Sequence, residues 1–241
     1  MKELPIITLD GPAGSGKSSV TRNLAEKLNL TFIDTGAMFR VLSLVLWEKF
    51  ERRPLIEKQS DQFIDYLNRQ KFEYQPRPEV LVAVNEVDYS QKIRENFVSG
   101  ITSDFSQLAW LRDFCVHWQK KIVQSDKSWC IVEGRDTGSV VFPKAMLKFY
   151  LTADSEVRAK RRLQELQEKG LADGLALEEL REQIEQRDQN DQNRKISPLQ
   201  IPPDAQVIDT SQMTYEHVLM KLEQEILKKV RTCSAKKDST N

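Results

Sequence analysis

One eight-residue segment restricts the fold of this chain more than any other part of it: Gly11-Pro12-Ala13-Gly14-Ser15-Gly16-Lys17-Ser18. The segment fits the pattern G-x-x-x-x-G-K-[ST]. It follows the apolar run Ile6-Ile7-Thr8-Leu9 and precedes a helical pattern from Ser18 to Leu28. In such a turn the glycines let consecutive backbone N–H groups face one anion, and the helix N-terminus adds partial positive charge. The sequence therefore predicts a phosphate-binding loop between a buried strand and a helix.

This loop predicts a bound nucleoside triphosphate. We expect Lys17 to reach the β- and γ-phosphates as a catalytic residue, and we expect Ser18 to be a ligand of Mg²⁺. The predicted nucleotide-binding residues are Gly11, Pro12, Ala13, Gly14, Ser15, Gly16, Lys17, Ser18 and Ser19.

Strands and helices alternate along most of the chain. After the first strand, further strands are predicted at residues 31–33, 129–132, 147–151 and 206–209. Helical patterns cover residues 18–28, 37–50, 96–123, 155–169, 177–190 and 215–230. This alternation predicts an α/β fold with a doubly wound, parallel, five-stranded sheet that helices cover on both faces.

The pattern changes between residues 58 and 100. A short helix around Ser60 to Asn68 is followed by two β-rich runs, residues 71–74 and 80–84, and by a polar bend at Asn85-Glu86. We interpret this part as an insertion with a small antiparallel sheet. The chain then divides into a core of residues 1–57 and 101–230, an insertion of residues 58–100, and a polar tail of residues 231–241 that we expect to be disordered.

Composition excludes several classes of function. Lys plus Arg number 36 and Asp plus Glu also number 36, so no overall positive field draws the chain to nucleic acid or to anionic lipid. The three cysteines are widely spaced and form no C-x-x-C pair, which argues against a disulfide framework or a zinc site. No run of about 18 apolar residues occurs. We expect a cytoplasmic monomer with no nucleic-acid or membrane partner.

A phosphate-binding loop alone does not separate GTPases, ATP-driven machines, small-molecule kinases and nucleotide-responsive regulators. The chain has no Asn-Lys-x-Asp motif for reading guanine, and the remaining length fits no separate ATPase module. A kinase of small molecules is the class that the residues favour most.

Three further motifs resemble those of bacterial cytidylate kinases. Asp34-Thr35-Gly36-Ala37-Met38-Phe39-Arg40 follows the second strand, and Glu133-Gly134-Arg135-Asp136-Thr137-Gly138-Ser139-Val140-Val141-Phe142-Pro143 follows the third. The last motif is Arg187-Asp188-x-x-Asp191-x-x-Arg194 with Ser197-Pro198-Leu199 after it. Together with the phosphate-binding loop they extend the resemblance from about residue 5 to residue 225.

The resemblance implies an ATP-dependent phosphotransferase whose acceptor is the phosphate of CMP or dCMP. It implies that Arg40, Arg135 and Arg194 hold the CMP phosphate and that Arg187 and Asp191 contact the sugar. Ser103, Arg112 and Asp136 would read the cytosine, and Thr35 would line the acceptor pocket. Arg135, Arg187 and Arg194 would be catalytic together with Lys17. The insertion would bind CMP, and residues 155–175 would form a short lid.

Elementary chemistry agrees with this assignment of arginines to the acceptor phosphate. A nucleoside monophosphate brings two negative charges beside those of ATP, and arginines bind phosphate oxygens in pairs and neutralise charge as the phosphoryl group transfers. Arg187 and Arg194 are seven residues apart, so both project to one side if the helix persists between them. Phe39 and Glu133 replace the Tyr and the Asp that are common in the family.

Some interpretations remain open. Arg158, Arg161 and Arg162 share one helix face, which fits either a lid over the ATP phosphates or an ordinary solvated face. A kinase of another small acceptor, such as UMP, AMP, gluconate or shikimate, would keep the phosphate-binding loop but need not have the other motifs. A nucleotide-binding regulator without turnover is the third interpretation of the protein's function.

Overall fold

The computed structural model describes residues 5–50, 60–76, 81–125, 128–168, 170, 174 and 176–238. Its strands are β1 (Ile6–Asp10), β2 (Thr31–Asp34), β3 (Phe72–Gln75), β4 (Leu81–Val84), β5 (Val87–Asp88), β6 (Cys130–Gly134), β7 (Leu147–Thr152) and β8 (Gln206–Asp209). Its α-helices are α1 (Lys17–Lys27), α2 (Thr35–Lys49), α3 (Ser60–Asn68), α4 (Asn96–Phe105), α5 (Ala109–Ser125), α6 (Ser155–Glu168), α7 (Leu177–Gln192) and α8 (Tyr215–Asp238).

The main sheet has five parallel strands in the order β2-β6-β1-β7-β8. Ile6 and Ile7 are neighbours in β1 but belong to different core clusters, because successive strand residues point to opposite faces. The cluster around Ile7 includes residues of α1 and α8, and the cluster around Ile6 includes residues of α2 and α5. Both faces are therefore covered, and the predicted doubly wound fold is confirmed.

The second sheet is antiparallel, in the order β3-β4-β5. Its bend at Asn85-Glu86 has positive φ at both residues, which fits a tight hairpin. Phe72 of β3 packs against Phe114 and Trp118 of α5. The predicted small antiparallel sheet is confirmed, although residue 80 of the second β-rich run and residues 77–79 before it lie outside the described residues.

Two of the predicted helix boundaries are wrong. The helical pattern of residues 96–123 is two helices, because Ser106 ends α4 and its hydroxyl donates to Ser103 O, which competes with helix continuation. Helix α2 begins at Thr35, two residues before the predicted start at residue 37. Asp34 is the N-cap, since its carboxylate accepts from Ala37 N at 2.8 Å.

In the structure, residues 231–238 of the predicted tail continue α8. Between Tyr215 and Asp238 the chain has no glycine or proline, and its Lys and Ala residues favour helix. Residues 239–241 of the tail lie outside the described residues, as do residues 169, 171–173 and 175 of the predicted lid.

Candidate active site

The phosphate-binding loop has the backbone that its glycines predict. Gly11 has φ of 149°, and a Cβ there would lie 2.0 Å from Leu151 O. Gly16 is the N-cap of α1 with φ of 83°, a left-handed conformation that costs glycine nothing. Lys17 is buried beneath the loop, where its ammonium donates to Pro12 O at 2.6 Å and to Ser15 Oγ at 3.1 Å. The predicted nucleotide-binding residues are thus one continuous turn at the carboxyl edge of the sheet.

Ser18 and Glu133 form the part of this edge that fits a divalent cation. Ser18 Oγ donates to Glu133 Oε1 at 2.6 Å. The other oxygen, Oε2, is buried and has no hydrogen-bond partner among the described residues. Burial, followed by the negative charge of Asp34, raises the pKa of Glu133 to about 7. A hydroxyl beside an unpartnered carboxylate oxygen is the hard-oxygen environment that Mg²⁺ prefers. No group of three or more His, Cys, Asp or Glu side chains forms a further metal cluster in the described part of the chain.

Asp10, at the end of β1, fixes the segment that follows β6. Its carboxylate accepts from Thr137 N at 2.9 Å, from Thr137 Oγ1 at 2.7 Å and from Gly138 N at 2.7 Å. These bonds hold the first residues of a single π-helical turn, residues 137–141, directly after Arg135 and Asp136. Asp10 was not among the predicted site residues. Its contacts are with residues about 127 positions away, so no local pattern indicates them.

Three of the predicted acceptor-side residues meet in one ion-pair group. Arg135 Nε donates to Asp191 Oδ2 at 2.9 Å, and Arg194 Nη2 lies 3.4 Å from Asp191 Oδ1. Burial raises the pKa of Asp191, but Arg135, Arg194 and Arg187 outweigh it and hold the pKa below its ordinary value. Arg194 is past the end of α7 and turns back so that its Nε donates to Asp191 O at 3.3 Å. The helix therefore does not persist as far as residue 194, which was the condition for both arginines to project to one side, although both stay near Asp191.

Arg187 and Arg40 are cations without a matched anion. Burial, and then the positive charge of Arg135, lowers the pKa of Arg187 to about 10, and burial likewise lowers the pKa of Arg40 to about 10. Arg40 donates to Ile93 O at 2.8 Å and to Ser99 Oγ at 2.9 Å, which are neutral acceptors. No carboxylate forms an ion pair with Arg187 in the described residues. A bound anionic phosphate would supply a negatively charged partner for both arginines.

Arg112 and Asp136 form a buried ion pair, with side chains 3% and 7% exposed. Arg112 also donates to Ser106 O at 3.1 Å and lies over the Phe39 ring, 5.1 Å from its centroid. Oδ2 of Asp136 takes part in the pair, and no hydrogen bond among the described residues uses Oδ1. The aromatic body that replaces the usual Tyr therefore packs against the arginine. Arg112 therefore forms an ion pair with Asp136, and the sequence did not predict this pairing.

The other two predicted acceptor residues have different surroundings. Thr35 is buried at the start of α2, and its hydroxyl donates to Glu133 O at 2.7 Å, so its hydrogen is used within the protein. Ser103 is half-buried on α4, and its carbonyl accepts from Ser106 Oγ at 3.1 Å. Ser106 in turn accepts from Arg112. Ser103 is thus near the Arg112 and Asp136 pair through Ser106.

The shared face of Arg158, Arg161 and Arg162 is not an ordinary solvated face. Arg158 is buried and pairs with Asp188, and it donates to Ala13 O of the phosphate-binding loop at 2.9 Å. Arg161 donates to both oxygens of Thr210. Arg162 pairs with the nearby Glu165. Sequence reasoning assigned Asp188 no role, because its partners lie 30 and 175 residues away.

The amino-acid sequence matches a known protein family over nearly its whole length. A family model described as cytidylate kinase matches residues 7–229, nearly the whole chain. The chain belongs to the cytidylate kinase family. The match includes both β-sheets, the phosphate-binding loop and all of the acceptor-side residues described above.

Curated relatives are similar over the same length. A cytidylate kinase of Caldanaerobacter subterraneus subsp. tengcongensis is 37% identical over 93% of this chain and 96% of its own length. A cytidylate kinase of Thermotoga neapolitana is 38% identical over 90% of this chain and 94% of its own. A bifunctional pantoate ligase/cytidylate kinase of Prochlorococcus marinus is 38% identical over 92% of this chain, which spans only 42% of that longer protein.

Among solved structures, the protein TT1252 of Thermus thermophilus is 14% identical, with a TM-score of 0.48 over 94% of this chain and 97% of that one.

No described helix is both long and apolar enough to span a bilayer.

Proposed function

We propose that this protein transfers the γ-phosphoryl group of ATP to CMP and dCMP, with Mg²⁺ as cofactor. The observation that carries the proposal is the group of arginines opposite the phosphate-binding loop: Arg40, Arg135, Arg187 and Arg194. Burial lowers the pKa of Arg40 and that of Arg187 to about 10, and neither forms an ion pair with a carboxylate among the described residues. A second phosphate beside ATP supplies the missing negative charge, and membership of the cytidylate kinase family supports a monophosphate as its source.

Each residue contributes through position and charge. The loop amides and Lys17 would hold the phosphates of ATP, while Arg135, Arg187 and Arg194 neutralise the charge that spreads over the transferring group. Ser18 and Glu133 would hold Mg²⁺, which supplies further neutralisation of the phosphate oxygens. Arg40 would orient the CMP phosphate from α2. Such fixed positioning of donor and acceptor removes much of the entropic barrier of a two-substrate reaction.

Asp136 is the residue that we propose for base selection. Its available Oδ1 would accept from the N4 amine of cytosine, and Arg112 holds its other oxygen in place. Ser103 and Thr35 would complete the wall of the pocket. The insertion would close over CMP and, with residues 155–175, exclude water from the transferring phosphate.

A coupled assay of ADP release tests the proposal. Purified protein with ATP and Mg²⁺ is given CMP, dCMP, UMP, AMP or shikimate as the acceptor. We expect CMP and dCMP to be preferred over the other acceptors by at least about tenfold in kcat/KM. A preference for another acceptor would favour a different kinase of the same fold, and ATP binding without turnover on any acceptor would favour a regulator.

Alanine at Arg187 or Arg194 should reduce kcat/KM for CMP by at least about tenfold, because each change removes a cation that the acceptor phosphate would neutralise. The affinity for ATP, measured by calorimetry without CMP, should change much less. Arg181→Ala is the matched control on α7, since Arg181 pairs with Glu178 and Glu185 near the surface. Equal weakening of both substrates would contradict the assignment and indicate a structural role.

We also propose that the active unit is a cytoplasmic monomer. Sedimentation velocity at assay concentrations checks the oligomeric state, and a stable dimer would contradict the proposal.

A further inference from the structure

Two buried side chains hold both backbone groups of one residue in the phosphate-binding loop. Ala13 N donates to Asp188 Oδ1 at 3.2 Å, and Ala13 O accepts from Arg158 Nη1 at 2.9 Å. The same Nη1 forms an ion pair with Asp188 Oδ2, so the three residues close a ring of hydrogen bonds. The side chains of Arg158 and Asp188 are only 8% and 11% exposed. We call this group the Ala13 clamp.

The clamp joins the two halves of the site. Asp188 is in α7, directly after Arg187 and one turn before Asp191, so it shares a helix with the acceptor-side charges. Arg158 is in α6, where its Nε also donates to Ala153 O at 2.8 Å, just beyond β7. Ala13 is in the loop that would bind the phosphates of ATP. A contact path therefore runs from the acceptor arginines through Asp188 to the backbone of the donor loop.

We infer that the Ala13 clamp couples the two substrate sites, so that ATP and the monophosphate strengthen each other's binding. The inference rests on the proposed function, and it makes Asp188 and Arg158 positioning residues. A nucleoside monophosphate held at its sugar by Arg187 and at its phosphate by Arg194 restrains the end of α7 and with it Asp188. Asp188 and Arg158 then restrain Ala13, and the amides that follow it are ordered before ATP arrives. By linkage, ATP on the ordered loop strengthens monophosphate binding by the same factor.

The chemistry of the clamp favours this role over a purely stabilising one. A buried ion pair is weak evidence for stability, because the cost of removing both charges from water offsets much of their attraction. Apolar residues of similar volume often fold equally well in its place. What they cannot supply is a pair of directed hydrogen bonds to the N–H and the C=O of the same loop residue.

The test uses the double variant Arg158→Met with Asp188→Leu, which removes both members of the buried ion pair together. Calorimetry measures the Kd of CMP with and without a non-hydrolysable ATP analogue and Mg²⁺. In the wild type we expect the analogue to tighten CMP binding by about fivefold or more, a typical coupling. In the double variant this ratio should fall towards one. The matched control is Glu156→Gln with Lys160→Met, an exposed ion pair on the same helix, and it should keep the wild-type ratio.

Amide hydrogen exchange supplies a second measurement. CMP alone should slow exchange in peptides that span residues 11–16 of the wild type. This protection should be lost in the double variant, whereas protection through direct contact of CMP with the loop would persist there. If the double variant fails to fold, Arg158→Lys is used, because one ammonium cannot reproduce the fork that contacts Ala13, Ala153 and Asp188.

The outcomes are distinct. A wild-type ratio near one, or a ratio that survives in the clamp variants, overturns the inference while CMP phosphorylation by the wild type leaves the proposed function standing. A wild type that neither binds nor phosphorylates CMP overturns both.

Discussion

Replacing Lys17 with alanine is expected to lower kcat for CMP phosphorylation by about a hundredfold or more. One preorganised charge in a water-excluded site is typically worth several kcal/mol in the transition state. The ammonium of Lys17 is held by Pro12 O and Ser15 Oγ, so its place under the loop is fixed before substrate binds. Burial, and after it the positive charge of Arg135, lowers the pKa of Lys17 well below its ordinary value. A bound triphosphate surrounds this amine with negative charge, which raises its pKa and favours the ammonium.

Lys27→Ala is the matched control for this change. Lys27 is on the same helix, but its side chain is 51% exposed and pairs with Glu223 at the surface. We expect its kcat to stay within about twofold of the wild type, as for most exposed substitutions. Single-turnover kinetics separate the chemical step from product release. A Lys17→Ala protein with native circular dichroism and nearly normal turnover would show that Lys17 has no catalytic role.

The donor half of the site could be predicted from the sequence because it is contiguous. Loop geometry depends on glycines at fixed offsets, and Gly11 and Gly16 have the backbone angles that the motif requires. The doubly wound, parallel sheet followed from strands that alternate with helices. The start of α2 was missed by two residues because the cap is a side-chain property of Asp34.

The relations across the site could not be predicted in the same way. Motif resemblance named Arg112, Asp136, Arg135 and Asp191, but not which carboxylate faces which arginine. In the structure Arg135 pairs with Asp191 and Arg112 pairs with Asp136. Asp188 and Arg158 were not assigned a role at all, since their contacts with Ala13 depend on how α6 and α7 cross the loop. Pairing of this kind is set by tertiary packing and leaves no spacing in the sequence.

The pairing of Arg112 with Asp136 sharpens the expected basis of base selection. An alternative role for Asp136 would be to support its neighbour Arg135. That support comes from Asp191 instead, so Asp136 is not needed for it. Arg112 already donates to Asp136 and to Ser106 O through its two terminal nitrogens, while its buried Nε has no hydrogen-bond partner among the described residues. We therefore expect Asp136 to contact the base directly and Arg112 to hold Asp136 in position.

Asparagine at position 136 is expected to reverse the preference for CMP over UMP, or at least to reduce it by about tenfold or more. Arg112 can only donate, so the amide oxygen of the asparagine should turn towards it and the amide NH₂ towards the base. Cytosine presents an amine at position 4 and would face a second donor, whereas uracil presents a carbonyl there and would gain a hydrogen bond. Each mismatched buried polar group costs about 1–3 kcal/mol. The measurement is the ratio of kcat/KM for CMP to that for UMP.

This substitution suits the site better than alanine, because alanine would leave Arg112 without an anion or an acceptor in a position where its side chain is 3% exposed. Loss of one partner of a buried pair typically costs about 3–5 kcal/mol of stability, which would confuse the kinetics. Asp113→Asn is the matched control, since Asp113 follows Arg112 on α5 but is exposed, and it should leave the CMP to UMP ratio unchanged. A parallel fall with both nucleotides in Asp136→Asn would mean that Asp136 only supports the fold. A fall confined to CMP would mean that its carboxylate reads the amine of cytosine.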